Sequence, residues 1–115
     1  MHCLDDLKES VGEALLLVHT VVFTPAARDE VMAAQDWYEK EASGLGLQFS
    51  TAVAVAVERI ACNPLQFPIV YKQIRRALLR RFPYALFFLQ EQDDSLTVLA
   101  CFHGSRAPAR WQRRM

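Results

Sequence analysis

Four glycines, five prolines and three cysteines are all that the 115 residues hold of these types. With so few glycines and prolines there is no linker, no low-complexity tract and no internal repeat. The whole chain therefore reads as one compact domain. Cys3, Cys62 and Cys101 lie far apart and form no CxxC pair, which argues for free buried thiols rather than a disulfide framework or a zinc site. No His/Cys/Asp set has metal-ligand spacing, so no metal or other cofactor is expected. There is no glycine-rich phosphate loop either: Gly44-Leu45-Gly46 falls between two helical patterns and reads as the turn between them. Long apolar runs are missing. The longest uncharged stretch, Ala42 to Val57, is 16 residues and carries Ser, Gln and Thr, too short and too polar to span a bilayer. The first residues, Met-His-Cys-Leu-Asp-Asp, are acidic where a signal peptide is basic, so the expectation is a soluble, cytoplasmic protein with no membrane partner.

What the sequence does have is a core and a split charge. Apolar residues make up 52% and charged residues 23% of the chain, which excludes wholesale disorder. A chain of this length can bury roughly two-thirds of its unfolded surface without a covalent staple. The formal net charge of zero conceals two opposed halves. Residues 1–58 hold ten acids against Lys8, Arg28 and Lys40, a net −7. Residues 59–115 hold ten bases, nine of them Arg, against Glu91, Asp93 and Asp94, a net +7. So many guanidinium groups in one half point to a localised surface for phosphates or carboxylates.

Periodicity orders the elements. Leu4, Leu7, Val11, Leu15 and Val18 recur at helical spacing in residues 1–18. His19 to Phe23 is rich in β-formers. Thr24-Pro25 then starts a helix, Thr as N-cap and Pro in the first turn. This helix runs to about Ser43, with Ala27, Val31, Ala34 and Tyr38 inward, Trp37 on the shoulder and Gly44 as its C-cap. A second helix runs from about Leu47 to Cys62 with Phe49, Val53, Ala56, Val57 and Ile60 inward. Ala54 and Val55 make it apolar nearly all round, so it is expected to be covered on more than one side. Asn63-Pro64 ends it. The pattern then switches to period two: Ile69 to Lys72, Ile74 to Arg81, Tyr84 to Gln90 and, after a polar turn, Leu96 to His103. Short connections imply antiparallel hairpins. The expected fold is α+β, a helical hairpin packed on one face of a small antiparallel sheet. In the strand at 84–90, Tyr84, Leu86 and Phe88 share one face and Ala85, Phe87 and Leu89 the other. The face away from the helices is expected to be left apolar and open, which fits a docking surface for a partner or an oligomer contact.

Certain of these residues carry a resemblance. Val21-Val22-Phe23-Thr24-Pro25-Ala26-Ala27, then Trp37-Tyr38-Glu39 and Gly44-Leu45-Gly46-x-x-Phe49, resemble the opening of RelE/ParE-family toxins of bacterial type II toxin–antitoxin modules. Asn63-Pro64-x-x-Phe67-Pro68, Arg75 through Tyr84, and His103-Gly104-x-Arg106-x-Pro108 with Trp111 continue it in order over residues 19–115. The match is closer to the ParE branch. It implies the toxin of a plasmid-stabilisation module, held in a hetero-oligomer with a cognate antitoxin. It implies DNA gyrase as the target on the ParE side, or cleavage of mRNA on the ribosome on the RelE side. An inactive, toxin-like protein is the third alternative. Residues 1–18 depart from the family pattern and read either as an added helix or as sequence upstream of a true start near Val18.

The candidate residues follow from that choice. A ribonuclease needs a general base, a general acid and cations for the developing phosphorane charge. Here those roles would fall to Tyr84, His103, Arg81 and Arg106. The half has one Lys, Lys72, and Arg is a poor proton shuttle though a good clamp, which favours binding over chemistry. Arg75, Arg76, Arg80, Arg81, Arg110, Trp111 and Arg113 are the candidates for contact with target or antitoxin.

Overall fold

The computed structural model describes residues 19–103. Strand β1 (Val21–Phe23) leads into helix α1 (Pro25–Glu41), a short connection, and helix α2 (Leu45–Cys62). A 3-10 turn (Pro64–Gln66) precedes β2 (Ile69–Tyr71), β3 (Ile74–Leu78), β4 (Tyr84–Gln90) and β5 (Leu96–His103). The strands form one sheet in the order β1-β5-β4-β3-β2. The last four strands pair antiparallel, as the short connections require. β1 pairs parallel with β5, Val22 opposite Thr97, so the sheet is mixed. A register shift at Phe87/Phe88 marks a bulge between β4 and β5.

Local chemistry explains where the helices begin. Thr24 Oγ1 accepts the Ala27 N–H at 3.1 Å, and Pro25 occupies the first turn, where its missing N–H costs nothing. The expected C-cap glycine serves the other helix. α1 ends at Glu41 with Ala42 as cap, and Gly44, at φ 88°, is the N-cap of α2, which starts two residues earlier than its apolar pattern suggests. A glycine N-cap has no side chain to satisfy the helix's first N–H groups. Glu39 does so from α1: its carboxylate accepts from Gly44 N–H at 3.1 Å and from Gly46 N–H at 3.0 Å. The helices come close enough here that a Cβ on Gly46 would lie 2.9 Å from the Gln35 carbonyl oxygen.

The main core lies between the helical hairpin and the sheet. Ala27, Ala34, Phe49, Val53, Ala56 and Ile60 meet Ala77, Leu86, Phe88, Leu96 and Val98. Every expected inward position of the helices takes part, Val31, Tyr38 and Val57 as partly buried neighbours. Among the described residues, α2 is the one helix long and apolar enough to cross a membrane by length and composition, since its 18 residues include only two charges, Glu58 and Arg59. In the fold its apolar stripe packs on the sheet and on α1.

Three expectations change. The helix-free face of the sheet is not an open apolar surface: Ile74, Ala85, Phe87, Ala100 and Phe102 are buried there, with Val70, Tyr71, Leu89 and Leu99 packed against them. On the outer side of α2, Leu47 is 70% exposed. The Ile74 strand stops at Leu78 rather than Arg81, because the Leu79 N–H donates to the Tyr84 carbonyl at 2.9 Å and turns 80–83 into a loop. Among the cysteines, Cys101 is a free buried thiol as expected, whereas Cys62 is disulfide-bonded. The proposed extension, residues 1–18, lies outside the described residues.

Candidate functional site

The structure brings Tyr84 and His103 together and separates the arginines. Tyr84 opens β4 and His103 closes β5, so the antiparallel register sets them opposite one another with ring centroids 5.4 Å apart. They line a cleft of about 280 Å³ against α1, whose other walls are Glu30, Ala33, Ala34, Trp37, Cys101 and Phe102. Trp37 is 55% exposed at its edge, further out than the shoulder position read from the sequence.

Two interactions fix the back of this cleft. Glu30 Oε1 accepts the Cys101 N–H at 2.9 Å, tying α1 to β5. Burial, and secondarily the charge of Glu30, pushes the Cys101 thiol up to about 12, so it stays protonated and unreactive. Tyr84 is also a structural ring: it packs edge-on against Phe49 and Tyr38 at 5.4 and 6.1 Å. Phe82 closes the same group from the loop, 4.8 Å from Tyr38 and 5.2 Å from Phe49. The Tyr38 hydroxyl is raised above its ordinary value by burial and then by Tyr84. The cleft thus holds an imidazole, a phenol and a carboxylate, and no guanidinium among its described walls.

The arginines lie elsewhere, in three different settings. Arg75 follows the parity of Ala77 toward the helices, and its Nη1 donates to the Phe67 carbonyl at 2.6 Å, which holds the segment before β2 on the sheet. Arg76 points the opposite way, beside Phe87 of the helix-free face, and its buried Nε has no hydrogen-bond partner. Arg80 and Arg81 sit in the 80–83 loop, Arg81 in the left-handed region at φ 71°. Both rim a groove of about 370 Å³ against the outer side of α2, lined also by Leu47, Gln48, Thr51, Ala52, Val55 and Phe82. Arg106, Arg110, Trp111 and Arg113 lie outside the described residues. Among the described residues no group of His, Cys, Asp or Glu is arranged to hold a metal.

Sequence reasoning missed Glu30 and Glu39, whose partners come from tertiary contact and leave no local signal. It read α2, apolar nearly all round through Ala54 and Val55, as covered on more than one side, whereas Ala54 is exposed and Val55 half-buried.

A family model described as the ParE toxin of the type II toxin–antitoxin system parDE matches residues 21–108. No curated protein matches the chain in sequence. Two solved structures share its fold. One is the chromosomal ParDE toxin–antitoxin system from P. aeruginosa, at 20% identity and TM-score 0.54, over 75% of this chain and 96% of that one. The other is the toxin–antitoxin complex RelBE2 from Mycobacterium tuberculosis, also at 20% identity, with TM-score 0.51, over 75% of this chain and 98% of that one.

Proposed function

From the premise that this chain belongs to the ParE toxin family, as the toxin of a type II toxin–antitoxin module, we propose that it acts by binding DNA gyrase and carries out no chemistry of its own. One observation carries the reading. Phosphoryl chemistry on RNA needs acid, base and cation within reach of one phosphate. Here the Tyr84–His103 pair and the Arg80–Arg81 pair line two separate cavities. Arg75 is committed to the Phe67 carbonyl, and Arg76 lies on the other face of the sheet. Guanidinium groups scattered in this way among the described residues suit contact with a protein surface better than catalysis at one phosphate. In the cell the toxin is held by its antitoxin in a hetero-oligomer, and a gyrase target places both in the cytoplasm.

The alternative is a ribosome-dependent mRNA endonuclease, and the Tyr84–His103 pair is what favours it. Pulse-labelling of bacteria immediately after induction without antitoxin separates the two. The gyrase reading expects DNA synthesis to fall first, with a DNA-damage response, and purified toxin to inhibit supercoiling by gyrase. Protein synthesis falling first would establish the endonuclease instead. No effect on either would mark an inactive toxin.

A further inference from the structure

The end of α2 is also the place where residue 19 joins the fold. The last turn of a helix leaves carbonyl oxygens without intrahelical partners. Here the Arg59 oxygen accepts from the Asn63 N–H and from the side-chain amide of Gln66, and the Ala61 oxygen accepts the His19 N–H at 3.0 Å. His19 Nδ1 lies 2.8 Å from the Asp94 carbonyl oxygen, and the Leu96 N–H donates to the Thr20 carbonyl at 2.8 Å. Residues 19 and 20 are thus pinned between the end of α2 and the β4–β5 turn, and whatever precedes them starts beside Cys62. That cysteine is half-buried rather than sealed in the core, and it is disulfide-bonded.

Elimination names the other half of the bond. The chain has three cysteines, Cys3, Cys62 and Cys101. Cys101 is a free thiol, buried in the cleft wall against α1. Within one chain Cys3 alone is left. We propose that Cys62 is bonded to Cys3 and that this bond is a reversible redox clasp, fastening residues 1–18 to the C-terminal end of α2. The clasp also constrains the path of the segment. As one straight helix, the span from Cys3 to His19 would put its two ends about 24 Å apart. A disulfide needs Cα atoms within about 7 Å of each other. His19 already stands against Ala61, so the bonded segment must leave the end of α2 and fold back to it, and reduction releases it from that path. The exchange balances with a small disulfide as oxidant. Two cysteine thiols and one oxidised glutathione, through a mixed disulfide, give the Cys3–Cys62 bond and two glutathione thiols. Disulfides in a reducing cytoplasm are mostly transient and redox-sensing. The role as a switch rests on the cytoplasmic reading above, and the bond itself does not.

The test uses the full chain, equilibrated at graded ratios of oxidised to reduced glutathione. Free thiols are then blocked with N-ethylmaleimide, and the protein is digested with trypsin without reductant and weighed by mass spectrometry. The expected product is residues 1–8 joined to residues 60–72, the tryptic pieces that carry the two cysteines. It should grow with the oxidised fraction and vanish on adding dithiothreitol, with Cys101 outside any cross-link. The oxidised parent should melt at least about 5 °C above the reduced parent, because the bond removes freedom from the unfolded chain. Cys3→Ser should melt like the reduced parent at every ratio. Absence of the joined pieces at every ratio would overturn the proposal. So would residues 60–72 joined to a second copy of themselves, which would make Cys62 a contact between chains. Oxidised and reduced parents that melt together would show that the bond fastens nothing. A joined pair that persists in a large excess of reduced glutathione would be a permanent staple, and the switch would fail. No readout involves the antitoxin or the target, so each of these failures leaves the toxin–antitoxin reading standing.

Discussion

Gly46 is the residue on which the helical hairpin closes. Its N–H meets Glu39 at 3.0 Å, and an added Cβ would stand 2.9 Å from a backbone oxygen of α1. Backbone cannot swing aside as a side chain can. Gly46→Ala should therefore cost about 1–3 kcal/mol, although alanine is the better helix former by up to about 1 kcal/mol. Glu39→Ala leaves the space and removes only the cap, and should cost about 1 kcal/mol. Urea titration of the two variants checks the order: a Gly46→Ala protein as stable as the parent would show that the helices can separate freely. Cys101 sets a pH limit at the same scale. Its thiol, ordinarily near 9, is pushed up to about 12 by burial first and Glu30 second. Below about pH 9 the thiol is neutral in folded and unfolded chains alike, and the preference for the neutral form contributes in full. Above it the unfolded chain ionises first, and stability is lost as the pH rises toward 12. Tyr38, also raised by burial, adds in the same direction above its ordinary value of 10.0. The melting temperature should fall progressively from pH 9 upward, and Cys101→Ala should remove part of that slope. Iodoacetamide should leave Cys101 unmodified at pH 8 in the native protein.

Elements show which part of the fold the sequence encodes locally. α1 was legible because Thr24-Pro25 is a start signal read within a single turn, and Ala27, Val31, Ala34 and Tyr38 keep strict helical spacing. β4 and β5 were legible as apolar runs around the polar turn Gln92–Ser95. The pairing of β1 was not: Val21–Phe23 meets Leu96–Val98 in parallel, a contact more than seventy residues away that nothing in either segment specifies. Nor was the end of β3, which the sequence pattern carries on to Arg81, since only the Leu79–Tyr84 hydrogen bond and the packing of Phe82 turn the loop out. The same loss of context misplaced the open apolar surface. Alternation along β4 gives two apolar faces, but only the fold shows that the helix-free one is already buried. Arg76 in β3 is the exception on that face. Its Nε is buried beside Phe87 without a partner, and a polar group left so costs about 1–3 kcal/mol. Arg76→Met keeps the length of the side chain and removes the orphan. The isolated toxin should gain about 1 kcal/mol in urea titration. A loss of stability would mean that the guanidinium is satisfied in solution.

The molecule as a whole separates its charges by layer. Residues 69–90, which make β2, β3, β4 and their loops, hold Lys72, Arg75, Arg76, Arg80 and Arg81 and no acid. Acids outnumber bases five to two in α1, α2 holds one of each, and further acids cluster in the β4–β5 turn. Such a polarised body orients an approaching partner before contact, and that attraction weakens with ionic strength. It does not itself distinguish a bound protein from a cleaved RNA. The Tyr84–His103 cleft does, because it is the one place among the described residues where an imidazole and a phenol meet. If the toxin works by binding, these two groups contribute shape and no proton transfer. Tyr84→Phe keeps the ring that packs on Tyr38 and Phe49 and deletes only the hydroxyl. His103→Gln keeps a polar group of similar size and deletes the imidazole. The double variant should arrest growth as fully as the parent when induced without antitoxin. Arg80→Glu/Arg81→Glu in the same assay tests whether the groove on α2 serves the target, and reduced toxicity with intact folding would assign it that role. A nuclease would respond the other way. Loss of acid–base partners typically lowers turnover about a hundredfold or more, and toxicity would vanish in the Tyr84→Phe/His103→Gln protein while its antitoxin affinity stayed unchanged.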